Sequence, residues 1–235
     1  MASARVTEAQ VRDAATLIVL RQRAEGPAVL MGQRGAGAAF MPGKFVFPGG
    51  AVDPSDAAVP LAAPLPAPCA ARLAEASGQP AAALAATAIR ELWEETGQIL
   101  GRPGPWAAPP PPDWAGFAAT GHLPDPTGLR FIFRAVTPPG RTRRFDARFF
   151  LVDAARLASD PDDFTAASDE LGALQWVQLD AARRFDLPFI TQVVLGEVMA
   201  RVDDPAPPAT VPFFRNNDEA HLVARLGGQS PLGRD

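Results

Sequence analysis

The sequence predicts an α/β fold in which a mixed β-sheet is sandwiched between α-helices (α/β/α). Short apolar runs of strand length alternate along the chain with segments of helical periodicity. Gly- and Pro-containing turns bound most of those runs. With 47% hydrophobic and 20% charged residues over 235 positions, the chain has a globular composition and enough length for a sizeable core.

Taken in order, "ATLIVLRQ" (15–22) and "PAVLMGQR" (27–34) read as two strands joined by a short turn at "AEGP". "KFVF" (44–47) is strand-like, and Pro48-Gly49-Gly50 predicts a tight turn after it. Residues 57–80 are rich in Ala and Pro; the first half reads as an irregular loop and "CAARLAEAS" as a short helix. The clearest helix spans Pro80 to Thr96. Pro suits its first turn, its body is Ala-rich, and Gly97 supplies a stop. On it Ala85, Ile89, Leu92 and Trp93 share a core face, while Glu91, Glu94 and Glu95 lie roughly opposite, toward a cavity or solvent. "GRPGPWAAPPPPDW" (101–114) is a second Pro-rich segment and a loop. "LRFIFRAVT" and "RRFDARFFLVD" are strands around "PPG", and "GALQWVQLD" is another. "AARRF" starts a short helix, 187–202 forms an amphipathic helix, and "VPFFR" offers a last strand in a tail that ends polar.

Composition excludes several function classes. A net charge of −4 gives no broad electrostatic grip on DNA or RNA, although a local Arg cluster could hold one small anion. The single Cys69 excludes a disulfide framework and a zinc–thiolate site within the chain, and two histidines, His122 and His221, do not make a His-rich site. Any metal would be held by oxygens, which points to Mg²⁺ or Mn²⁺ before zinc. The early apolar run Ala14–Leu20 is too short to span a membrane and lacks a signal-peptide layout, so a cytoplasmic protein without a membrane partner is expected.

"IRELWEETGQ" (89–98) poses the chemical question. Glu91, Glu94 and Glu95 stand at i, i+3 and i+4, where like charges repel by a few tenths of a kcal/mol per pair. A cation would offset that repulsion. Here the residues resemble the Nudix hydrolase family, whose signature runs G, five residues, E, seven residues, then R-E-U-x-E-E-x-G-U with U apolar. Gly50 is followed by five residues and Asp56, and Arg90, Glu91, Leu92, Glu94, Glu95 and Gly97 fill the second half. The chain departs from the pattern with Asp56 for the usual Glu and Gln98 for an apolar residue. It also places 33 residues between Asp56 and Arg90, an insert of about 26. The insert, together with "FMPGKFVFPGGAVDPSD" and "TPPGRTRRFDARFFLV", is similar to the branch of peroxisomal coenzyme A diphosphatases and their bacterial relatives.

The resemblance implies a single Nudix domain over 1–235, with the insert at about 57–82 and a polar tail at about 203–235. It implies metal-dependent hydrolysis of a nucleoside diphosphate linked to another moiety, with coenzyme A or acyl-coenzyme A leading. Glu91, Glu94 and Glu95 become expected ligands of Mg²⁺ or Mn²⁺, the Gly49 carbonyl joins them, and Asp56 is an outer ligand through water. Arg90 orients Glu91 by a charge-assisted bond. Glu170, beside Asp169 in "ASDELGALQW", is the favoured general base, and a further metal ligand is an equal alternative role for it. Arg34, Arg144 and Arg148 are candidate phosphate contacts, although surface solubility is the commoner role of such arginines. A homodimer stays open. The rival reading is a catalytically silent Nudix-fold module that binds or senses a nucleotide.

Overall fold

The computed structural model describes residues 9–215 and 225–226; most of the tail beyond Arg215, His221 included, lies outside the described residues. The strands are β1 Val11–Arg21, β2 Ala28–Arg34, β3 Phe45–Val46, β4 Gly49–Ala51, β5 Gly101–Pro103, β6 His122–Pro124, β7 Arg130–Val136, β8 Arg144–Asp153, β9 Leu171–Gln178, β10 Val211–Phe214 and β11 Arg225–Leu226. The α-helices are α1 Ala67–Ala74, α2 Ala81–Thr96, α3 Ala115–Ala119 and α4 Phe189–Met199.

β1 organises the sheet. It runs parallel to β8 from Val11↔Arg144 to Leu20↔Asp153. On its other side it pairs with β2 only at Leu20↔Val29 and Arg21↔Ala28, while its first half pairs with β4 at Ala14↔Ala51, Ala15↔Gly50 and Thr16↔Gly49. β2 diverges to pair with β3 and β9. The order is β11-β10-β7-β8-β1-β2-β3, with β4 beside β1 and β9 beside β2; β1/β8 and β7/β10 are parallel, so the sheet is mixed.

Strand alternation assigns the two faces. Ala15, Leu17 and Val19 pack with Leu84, Ala85, Ala88, Ile89 and Leu92 of α2, while Ile18 and Leu20 pack with Val194, Leu195 and Val198 of α4. The expected helix–sheet–helix sandwich is what forms. No helix among the described residues is long and apolar enough to cross a membrane.

Five local expectations change. The loop expected at 101–114 opens with β5, paired to β6, and closes in a 3₁₀ turn at Pro112–Trp114. Pro48-Gly49-Gly50 is not a tight turn: the glycines form β4, and neither has a positive φ. The helix expected at 69–77 begins at Ala67 and ends at Ala74; the segment just before it is irregular as expected, and its Val59 and Leu65 join Cys69 and Leu73 in the core. The last helix is shorter than 187–202, with Pro188 at its N-cap. "AARRF" closes as a 3₁₀ turn, Ala182–Arg184.

The candidate active site

Glu91 and Glu95, on the acidic face of α2, look onto β4, while Glu94 keeps about a third of its side chain exposed. A Cβ on Gly50 would lie 2.3 Å from Glu91 Oε1, and a Cβ on Gly49 would lie 2.7 Å from the Ala15 carbonyl oxygen. At Gly49 the obstacle is the β1 backbone, so glycine is required there; at Gly50 a side chain would push the Glu91 carboxylate out of its place. The Gly49 N–H donates to Glu95 Oε2 at 2.8 Å. Glu91 and Glu95 are therefore both buried against one two-glycine strand, and Glu95 retains only 1% of its exposure.

Arg90 holds this face together. Its Nε donates to Asp56 Oδ1 at 2.9 Å and its Nη2 to Asp56 Oδ2 and the Ala51 carbonyl, both at 3.1 Å. Its Nη1 donates to Glu91 Oε1 and Glu94 Oε2, each at 2.9 Å. All five guanidinium N–H groups are thereby used. Burial disfavours the charge, yet the bonds to Asp56 and the nearby Glu91 and Glu94 raise the Arg90 pKa above its ordinary value.

Asp56 differs from its expected role as an outer metal ligand. Besides both bonds from Arg90, it accepts from the Asp53 N–H at 3.0 Å, Thr87 Oγ1 at 2.8 Å and Trp114 Nε1 at 2.9 Å. A carboxylate offers about four lone-pair positions, so these five donors leave no oxygen for a bridging water. Asp56 anchors Arg90 instead. It also closes the capping box of the 3₁₀ turn Pro54–Ala58.

The remaining carboxylates are only partly neutralised: Glu91 and Glu94 share Arg90 Nη1, while Glu95 accepts from the Gly49 N–H. Burial, reinforced by Glu94 and only partly opposed by Arg90, pushes Glu91 up to about 7. Burial and the neighbouring Glu91 raise Glu95 well above the usual carboxylate range, and burial raises Glu94. Glu95 Oε1 is buried without a hydrogen-bond partner. Glu170 reaches the same region: its charge adds to the rise at Glu91 and Glu95, and its Oε1 accepts from Arg34 Nη2 at 3.0 Å. Arg34 in turn opposes the rise at Glu95.

These residues suit a hard divalent cation. The donors are all oxygens, the negative charge exceeds that of Arg90 and Arg34, and one buried carboxylate oxygen has no partner. Among the described residues no three His, Cys, Asp or Glu side chains form a ready-made metal cage. Mg²⁺ does not need one, since it commonly takes one or two carboxylates and completes its shell with water and substrate phosphate.

Arg148 is not with this group. It is buried, paired to Asp13 and Asp146, and donates to Ser77 Oγ at 3.1 Å. Arg134, adjacent to it across β7/β8, donates to Asp146 Oδ2 at 2.6 Å and to the carbonyls of Glu75 and Ala76 at 2.9 and 2.8 Å. The two arginines tie the segment after α1 to the sheet, and this use replaces the expected phosphate contact of Arg148. Arg144 donates to the Thr137 carbonyl at 3.1 Å. Thr87 and Trp114 belong to the Arg90 network without a sequence signal: Thr87 lies one helical turn before Glu91, and Trp114 ends a proline-rich run.

Neither a protein-family model nor a curated protein matches the chain. Among solved structures, the chain is similar to a Nudix hydrolase from Alicyclobacillus acidocaldarius at 31% identity and a TM-score of 0.61, over 83% of this chain and 94% of that one. Weaker likenesses include a MutT protein from Methanosarcina mazei, with 17% identity, 83% and 97% coverage and a TM-score of 0.47. Another is a C. elegans Ap4A hydrolase, with 17% identity, 81% and 96% coverage and a TM-score of 0.44.

Proposed function

The chain belongs to the Nudix hydrolase family, and from that premise we propose that it hydrolyses the diphosphate of a nucleoside diphosphate linked to another moiety, using Mg²⁺ or Mn²⁺. The observation that carries this reading is the buried Glu91/Glu95 pair on the Gly49–Gly50 strand, with Glu95 Oε1 lacking a partner. Coenzyme A or acyl-coenzyme A leads within the class, supported by the insert and flanking segments that are similar to the coenzyme A diphosphatase branch.

Glu91, Glu95 and Glu94 would hold the cation, with the Gly49 carbonyl as a further oxygen donor. When bound, the cation neutralises phosphate charge and acidifies a coordinated water. Arg90 keeps Glu91 and Glu94 on the face toward β4. Glu170 takes the proton of the attacking water at its carboxylate, which Arg34 steadies from the side. Asp56 acts on the reaction only through Arg90.

The test is product release from coenzyme A, ADP-ribose, NADH, a UDP-sugar and a dinucleoside polyphosphate, with and without Mg²⁺ or Mn²⁺. Metal-dependent cleavage of one compound is expected. Silence across the panel from a protein that binds Mn²⁺ would overturn the hydrolase reading in favour of a nucleotide sensor.

A further inference from the structure

We infer that Trp114 is a positioning residue for the reaction: its indole N–H fixes Asp56, and through Asp56 the guanidinium that carries Glu91 and Glu94. The inference rests on the metal-dependent hydrolase reading above. Trp114 lies 58 positions beyond Asp56 and outside the acidic helix, yet its Nε1 reaches Asp56 Oδ1 at 2.9 Å.

The donors to Asp56 are not equivalent. The single hydroxyl proton of Thr87 is shared between Asp56 Oδ2 at 2.8 Å and the Ala83 carbonyl at 2.9 Å. The Trp114 N–H has Asp56 as its acceptor, so it is the undivided neutral side-chain donor in the set. Its ring cannot swing: Trp114 is fully buried, 5.4 Å from Phe117 edge-on and 6.0 Å from Trp106. A rigid aromatic with one aimed N–H defines where Oδ1 sits.

That position is transmitted because Arg90 has no spare donor. Its Nε and Nη2 follow Asp56, and its Nη1 bonds Glu91 and Glu94. A tilt of Asp56 rotates the planar guanidinium and displaces both carboxylates. Partners of ligating carboxylates commonly change metal affinity or activity by about 10–100-fold.

The experiment compares Trp114→Phe with Val194→Ala, which opens a cavity in the core on the α4 side of the sheet, away from Trp114 and Asp56. In Trp114→Phe, kcat should fall about tenfold with KM held within about twofold, and Mn²⁺ affinity of the free protein should weaken about tenfold. Val194→Ala should keep kcat per folded molecule even where its Tm falls further. NMR adds a readout independent of turnover: the Arg90 Nε–H signal, assigned by its loss in Arg90→Lys, should exchange with water faster in Trp114→Phe. Unchanged kcat, Mn²⁺ affinity and Nε–H exchange would overturn the inference, as would equal kcat losses in Val194→Ala. If the wild type cleaved nothing, the hydrolase reading would fail by itself, and Nε–H exchange would still decide whether Trp114 fixes Arg90.

Discussion

Glu95 shows what one residue contributes at this site. Its carboxylate is buried, one oxygen accepts from Gly49, and the other has no partner. Charge there costs stability when no cation is present, because burial and Glu91 both oppose it. Glu95→Gln keeps the shape and removes the charge. Its metal-free Tm should therefore equal or exceed that of the wild type, while turnover falls by about 10²-fold or more if the carboxylate holds the cation. Loss of stability with turnover retained per folded molecule would sink the assignment. Glu91, Glu94 and Glu95 were legible in the sequence because a helix converts i, i+3, i+4 spacing into one face. Trp114 was not legible: no periodicity links it to a carboxylate 58 positions away, and only the folded chain brings them together.

At the scale of elements, the Ala- and Pro-rich segment 57–80 contributes to the core. Leu73 and Cys69 of α1 enter the core shared with α2, and Arg134 clamps the chain just after the helix. That clamp also holds Ala76 at φ +49, a left-handed conformation costing a non-glycine residue about 1–2 kcal/mol. Arg134→Met should destabilise the protein by about 3 kcal/mol in urea unfolding, the low end for breaking a buried pair, because Arg148 still faces Asp146 at 3.4 Å. Arg148→Met should likewise lower stability and leave KM unchanged; a raised KM at full stability would restore the phosphate-contact reading. Cys69 reports on the same docking. Burial pushes its thiol from 9.0 up to about 11, so folding favours the neutral thiol. That stability is full below the unfolded thiol's pKa and is lost as pH rises from about 9 to about 11. Below that window a thiol reagent should label Cys69 only as fast as the region opens, and faster in Arg134→Met; rapid labelling of the folded wild type would contradict this docking. The sequence showed α1 but not its docking, because an Ala- and Pro-rich stretch carries little periodicity. It also misread β4, because glycine pairs that turn a chain and glycine pairs that admit a close neighbour look alike until the neighbour is known.

At the scale of the whole molecule, the strain in the site should appear in global stability. Repelling, buried carboxylates weaken the metal-free fold, and a cation that binds only the folded state stabilises it by mass action. At 100 times its dissociation constant the gain is about 2.7 kcal/mol. For a chain of this size each kcal/mol moves Tm by about 2–4 °C, so saturating Mn²⁺ should raise Tm by about 5–10 °C. Two variants separate the site from the scaffold. Glu95→Gln should start from an undiminished Tm and lose most of the Mn²⁺ shift. Arg134→Met should start lower and keep it, because its partners Asp146, Glu75 and Ala76 lie outside the acidic face. Equal shifts in all three proteins would mean that Mn²⁺ acts elsewhere on the surface, and the fold would then be holding these carboxylates together for some purpose other than a cation.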